Sequence, residues 1–116
     1  MRLGHIELFV SNPMQSLEFY RDVLGFEVVA IQGEQFVWMK SGDTEVLLRP
    51  GSGTGDVPHY NQTSAGFVLY TTDLSSTATA LQERGLEFRG TDGSEQCLTF
   101  TDPDGHWFQL VNPEDH

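Results

Sequence analysis

Apolar and polar residues follow two different rhythms along this chain, and the rhythms recur in the same order twice. An apolar run opening at Gly4 leads into a stretch where Met14, Leu17, Tyr20 and Leu24 recur every three to four residues, the spacing of one helix face. Asn12 predicts the N-cap of that helix, Pro13 its first residue and Gln15 a capping-box partner. Gly25 follows at the place where a helix commonly takes a left-handed C-terminal residue. Three strand-like runs come next, FEVVAIQ, QFVWMKS and TEVLLRP, with turns predicted at Gln32-Gly33 and Ser41-Gly42-Asp43.

The plan repeats in the second half. GFVLYTT opens at Gly66, Asp73 predicts an N-cap, Leu74, Ala78 and Leu81 form a smaller apolar stripe, and Gly85 ends it. LEFRG, QCLTFTD and HWFQLVN then predict three more strands, with turns at Thr91-Asp92-Gly93 and Pro103-Asp104-Gly105. Between the halves, GSGTGDVPHYNQTS has no period and predicts a loop, either a connector or a lid. The expected organisation is a single domain with a first module over 1–50, a linker over 51–64 and a second module over 65–113. One helix covers only one face of a small sheet. The other face then meets the second module, a second chain or a ligand, and a concave surface between two such sheets is the natural place for a site.

Composition narrows the partners. Hydrophobic residues make up 38% of the 116 and charged residues 20%, which favours a folded chain over a disordered one. Six basic residues against 17 acidic ones give a net charge of -11, which argues against nucleic acid and anionic membrane surfaces and is compatible with a neutral or cationic guest. The single cysteine, Cys97, lies in an alternating run and reads as a small apolar strand residue, with no intrachain disulfide available to it. The apolar run in MRLGHIELFV is too short for a signal peptide. No stretch approaches the roughly 20 apolar residues of a membrane span, so a cytoplasmic protein is expected.

The twofold strand–helix–three-strand plan, the opening GHIELFVSNPMQSLEFYRDVLGF and the ending FTDPDGHWFQLVNP together resemble the vicinal oxygen chelate superfamily, the group of glyoxalases, bleomycin resistance proteins and extradiol dioxygenases. The resemblance covers essentially the whole chain. It implies an α+β fold in which two βαβββ modules form an open, cup-like mixed sheet, usually within a dimer. In the metal-dependent members it implies a divalent ion, held by the first and last strands of each module, that polarises two adjacent substrate oxygens. Carried over to this chain, the first-strand positions fall on His5 and Phe67, and the last-strand positions on Gln109 and on Val46 or Leu47. A shifted register would offer Glu45 instead. The metal enzymes of the group carry Glu where Gln109 stands. A catalytic divalent ion generally takes about three protein ligands, and one imidazole with one amide supplies no negative charge to offset it.

The expected function is therefore small-molecule binding in the cup or dimer cleft, of the resistance or sequestration type, with no cofactor and in a homodimer. Glu7 lies two residues beyond His5, so a strand places both on one face. The expected ligand contacts are His5, Glu7, Trp38, Leu47, Phe67, Trp107 and Gln109, with Phe67 facing the same way as Trp107 and Gln109. No catalytic residue is assigned. The alternative is a metal-dependent glyoxalase-like lyase, isomerase or dioxygenase. Its divalent ion would sit on His5, Gln109 and a third group such as Glu7 or Glu45. Arg49 is expected to pair with a carboxylate or with an anionic ligand, and His59 and Tyr60 either close over the cup or lie exposed. His106 reads as part of the DPDG turn, and His116 as a disordered terminus.

Overall fold

The computed structural model describes residues 1–52 and 56–115, and the chain divides into two compact units, Met1–Gly55 and Asp56–His116. His116 lies outside the described residues, as does the 53–55 part of the predicted linker. Each unit carries its own open mixed sheet, which makes the fold α+β.

The first unit runs β1 (Ile6–Val10), α1 (Pro13–Glu18), β2 (Glu27–Gln32), β3 (Phe36–Ser41) and β4 (Thr44–Pro50). Its sheet has the order β1-β4-β3-β2, with β1 and β4 parallel and the other pairs antiparallel. The predicted N-cap forms, with the Asn12 side chain accepting from the Gln15 backbone N–H and Pro13 opening the helix. The α-helical run is shorter than the apolar stripe predicts, because Phe19–Val23 widens into a π-helical turn before Gly25 takes its positive φ of 77°. α1 packs against β3 and β4. Leu8, Val10, Val37, Met39, Val46 and Leu48 are buried and share one face of the sheet, and Leu17 and Tyr20 are the buried residues of the helical segment.

The second unit runs β5 (Gly66–Tyr70), α2 (Leu74–Glu83), β6 (Cys97–Thr101) and β7 (Trp107–Val111), preceded by a single 3-10 turn at Tyr60–Gln62. The sheet order is β5-β7-β6, with β5 and β7 parallel. Asp73 caps α2 by accepting from the Ser76 N–H, and Gly85 takes a φ of 101° after its end. The predicted strand LEFRG is not a regular strand. Its backbone still follows β6: Arg89 N–H donates to Thr99 O, Thr99 N–H donates to Gly90 O, and Thr91 forms one bridge with Leu98. The positive φ of Gly90, 82°, breaks the regular pleat between these contacts.

Candidate functional site

In the first unit the register decides which side chains meet. Glu7 pairs with Leu47, and Leu47 pairs with Trp38 on its other side. Side chains opposite one another in a sheet share a face, so His5, Glu7, Leu47 and Trp38 belong to the face turned away from α1. This fixes the fourth-strand position at Leu47 rather than Val46, and puts Glu45 beside Lys40 at the strand's start. Leu47 is buried because it sits on a central strand between Glu7 and Trp38.

The polar groups on this face form one row. The His5 ring nitrogen Nε2 lies 2.7 Å from Glu7 Oε2, and the Arg49 Nη1 donates to Glu7 Oε1 at 3.0 Å. Glu7 therefore has a partner on each oxygen. The hydrogen bond from His5 first, and that from Arg49 second, hold its carboxyl below the ordinary carboxylate value. The His5 ring meets Trp38 edge-on with centroids 4.8 Å apart. The Arg49 guanidinium lies over both Phe9 and Phe36, 5.3 and 5.4 Å from the ring centroids. Its Nε is buried and has no hydrogen-bond partner among the described residues. The row remains reachable from solvent: the side chains of His5, Glu7 and Arg49 keep 32%, 34% and 38% of their exposure. Its chemistry is that of a paired imidazole and carboxylate, a clamped guanidinium and an aromatic wall, which suits a small molecule with both a flat apolar part and polar substituents.

The second unit treats the matching face differently. Gln109 pairs with Val68 on β5 and with Thr99 on β6, while Trp107 pairs with Gly66 and Thr101. Phe67 pairs with Phe108. Phe67 thus lies on the face opposite Trp107 and Gln109, which corrects the expectation that the three face together. It joins Phe108 and Phe100 in a ring cluster, with centroids 5.4 and 5.3 Å apart, and Thr71 further along this face touches Thr77 of α2. The residue at the place of His5 is Gly66. His5 and Gly66 each stand seven residues before their helix caps, Asn12 and Asp73, a count in the sequence that identifies Gly66 without the structure.

A side chain at Gly66 has no room, because a Cβ there would collide with the Tyr60 hydroxyl. Tyr60 also meets Trp107 edge-on, and the Trp107 Nε1–H donates to Val57 O at 3.2 Å. Arg89 lies over the indole at 4.6 Å and donates to Asp56 and Thr101. The amide of Gln109 donates from Nε2 to Asp92 Oδ2 at 2.8 Å. Trp107 is fully buried and Gln109 is 7% exposed. Burial, with Asp92 adding to it, raises the phenol of Tyr60 and the thiol of Cys97 above their ordinary values, and Cys97 is a buried residue of β6. Sequence reasoning singled out Trp107 and Gln109 and left Tyr60 either closing over the cup or exposed; Tyr60 packs on Trp107 while His59 is exposed, and Arg89 and Asp92, which contact Trp107 and Gln109, were missed. His106 belongs to the DPDG turn as expected: its Nδ1 lies 2.7 Å from the buried Asp102 carboxylate, which raises its pKa.

Neither unit by itself gathers three donors for a divalent ion. The first offers His5 and Glu7, the second Gln109 and Asp92, and no group of three or more His, Cys, Asp and Glu comes together among the described residues. The donor set within each unit is therefore incomplete for a catalytic ion.

Comparison with known proteins bears on that point. The chain is 30% identical over 116 residues to the metallothiol transferase FosB of Staphylococcus epidermidis, covering 93% of this chain and 81% of the relative. It is 26% identical to a manganese-dependent 2,3-dihydroxybiphenyl 1,2-dioxygenase of Geobacillus genomosp. 3, of which it spans 36%. Among solved structures it shares its fold with a lactoylglutathione lyase from Agrobacterium tumefaciens, at a TM-score of 0.73 and 18% identity over 98% and 96% of the two chains. It also matches TnmS3, an antibiotic binding protein from Streptomyces sp. CB03234, at a TM-score of 0.69 and 25% identity over 97% and 98%. The expectation that no cofactor is involved is corrected by these relatives: one is a metallothiol transferase and another is manganese-dependent by name. Replacing ligand positions one at a time was too weak a ground for excluding an ion: Glu7 beside His5 already stood among the alternative donors, and Asp92 beside Gln109 emerges only in the fold. The family model of the Glyoxalase/Bleomycin resistance protein/Dioxygenase superfamily matches residues 2–110, and the chain belongs to that superfamily.

Proposed function

We propose that this chain binds a small molecule on the open face of its first sheet, in the manner of the superfamily's resistance or sequestration members. The observation that carries the proposal is the continuous row His5–Glu7–Arg49 beside Trp38, part-exposed and already ordered by its own hydrogen bonds. Preordered polar groups against an aromatic wall lower the ordering cost of binding. Leu47 forms the floor between Glu7 and Trp38. Trp107 and Gln109 support the second sheet in this reading, since the Trp107 Nε1–H and the Gln109 Nε2–H donate within their own unit. A homodimer and a cytoplasmic setting belong to the same proposal. Among the described residues no helix is long and apolar enough to cross a membrane.

A second reading, a metal-dependent enzyme, is favoured by the two named relatives and by the adjacency of His5 Nε2 and a Glu7 oxygen. One experiment separates the two. Fosfomycin and 2,3-dihydroxybiphenyl serve as probes, because a fosfomycin resistance protein, FosX from Listeria monocytogenes, is among the structural neighbours and the diol appears in the name of a relative. Each is titrated calorimetrically with and without Mn²⁺, and the products are then analysed. Binding that weakens at least tenfold in His5→Ala, with the probe recovered intact, supports the binding protein. Turnover that appears only with Mn²⁺ replaces it with the enzyme. Binding unchanged in both His5→Ala and Trp38→Ala removes this face from consideration.

A further inference from the structure

One buried donor on the first sheet has no acceptor. The Nε of Arg49 is shielded from solvent and has no hydrogen-bond partner among the described residues. A buried N–H without an acceptor is destabilising, and native structures rarely keep one. The rest of the guanidinium is well held. Its Nη1 donates to Glu7 Oε1 at 3.0 Å, and the rings of Phe9 and Phe36 lie 5.3 and 5.4 Å from it. Phe9 is the cross-strand neighbour of Arg49 and is 43% exposed, so it is the freer of the two rings.

The N–H groups of a guanidinium point in fixed directions. With Nη1 turned to Glu7, the edge formed by Nε and Nη2 is left for another acceptor. Two parallel N–H groups on one edge match the two oxygens of a carboxylate. We propose that Arg49 is a specificity-determining residue of this face. The molecule bound there carries a carboxylate that meets the Nε–Nη2 edge as Phe9 turns aside, while its flat apolar part lies against Phe36 and Trp38. The inference rests on the reading that this face binds a small molecule, and it adds the charge of the ligand. The net charge of -11 repels an anion at long range, but charges more than about 10 Å away are largely screened at physiological salt. Glu7, on the same face, already has a partner on each oxygen. Because the two rings and Glu7 hold the guanidinium in place before any ligand arrives, little freedom is lost on binding.

The test compares 1-naphthoate with 1-naphthamide, two probes of nearly one shape that differ in charge, by NMR titration of the purified chain. The expected result is at least tenfold tighter binding of the carboxylate, with the Arg49 Nε–H and Phe9 ring signals moving as it binds. Arg49→Gln should bring the two probes within twofold of each other and leave the amide within threefold of its original affinity. Arg49→Lys keeps the charge without the paired N–H groups, and should lose at least fivefold of the carboxylate affinity. Equal affinities for the two probes, both weakened by Trp38→Ala, overturn the carboxylate assignment while leaving the binding face in place. A preference for the carboxylate that survives in folded Arg49→Gln overturns it too. If Arg49→Gln does not fold, the unsubstituted chain decides: carboxylate binding that leaves the Arg49 Nε–H signal unmoved contradicts the proposal. So does the failure of both probes to bind at millimolar concentration, in which case the fosfomycin and 2,3-dihydroxybiphenyl titrations judge the wider reading separately.

Discussion

The two sheets place the same kind of position under opposite conditions. In the first unit the positions around the first and last strands carry His5, Glu7 and Leu47, and the polar pair among them reaches solvent. In the second unit the matching positions carry Gly66, Val68 and Gln109, and the chain's own segment 56–62 lies against their neighbours, with Tyr60 in the space beside Gly66. One face is organised around charge and left open. The other is organised around a buried indole covered by segment 56–62, with Val68 and Tyr70 exposed further along the same strand. The difference teaches that a repeated fold need not repeat its chemistry: with no side chain at Gly66, Tyr60 takes the space that the counterpart of His5 would fill.

Substitutions in the two units should therefore fail in different ways. The largest effect on stability is expected from Trp107→Ala. It removes a fully buried indole, its hydrogen bond to Val57 and its contact with Arg89. A loss of about 3–5 kcal/mol is expected, measured by urea unfolding, with no specific effect on ligand binding at the first sheet beyond that of unfolding. Gly66→Ala comes next, at about 1–3 kcal/mol for forcing a methyl against Tyr60. The double substitution Tyr60→Ala/Gly66→Ala should recover part of the Gly66→Ala loss, because the obstacle is gone. If it does not, Tyr60 is not what closes the position.

The pH dependence offers a finer contrast. The hydrogen bond to Asp102 raises the pKa of His106 above its ordinary 6.5, so the folded chain holds that proton more tightly than the unfolded one. The resulting stability is fully present below about pH 6.5 and is lost as pH rises through the folded value. His106→Gln should flatten that slope in a series of unfolding curves. The smallest effect on stability is expected in the first unit. Glu7→Gln weakens two part-exposed contacts of the surface kind that adds little to stability, yet it should weaken binding at this face more than it weakens the fold.

Much of this arrangement was legible before any coordinates. Both helix caps, Asn12 and Asp73, and the glycines that end the helices, Gly25 and Gly85, form as their sequence context predicts, because caps depend on neighbours within three or four residues. The pairing of His5 with Glu7 on one face follows from strand parity alone. What failed was the register between distant segments. Phe67 was placed one residue away from the true counterpart of His5, and a shift of one residue turns a side chain to the other face. The packing of Tyr60 on Trp107 was half legible: the loop could be read as a connector or a lid, with Tyr60 closing or exposed, but not which strand it meets. Val57 and Tyr60 lie in a stretch without periodicity, and nothing local in it says which strand it will cover. Asp92 beside Gln109 was not legible, because it lies in a turn that only the fold brings to that strand. Glu7 and Asp92 matter only through the partners that folding brings to them.

The central claim is that the polar row beside Trp38 reaches solvent while the chain's own segment 56–62 covers Trp107 at one corner of the second sheet. The chain supplies one tryptophan to each sheet, Trp38 and Trp107. Hydrogen exchange of the two indole N–H groups, followed by NMR, tests the claim most directly. The Trp107 proton, bonded to Val57 O in a fully buried ring, should exchange only on the timescale of unfolding, and the Trp38 proton orders of magnitude faster. Comparable rates at the two sites, or a protected Trp38 with a fast Trp107, would contradict the account.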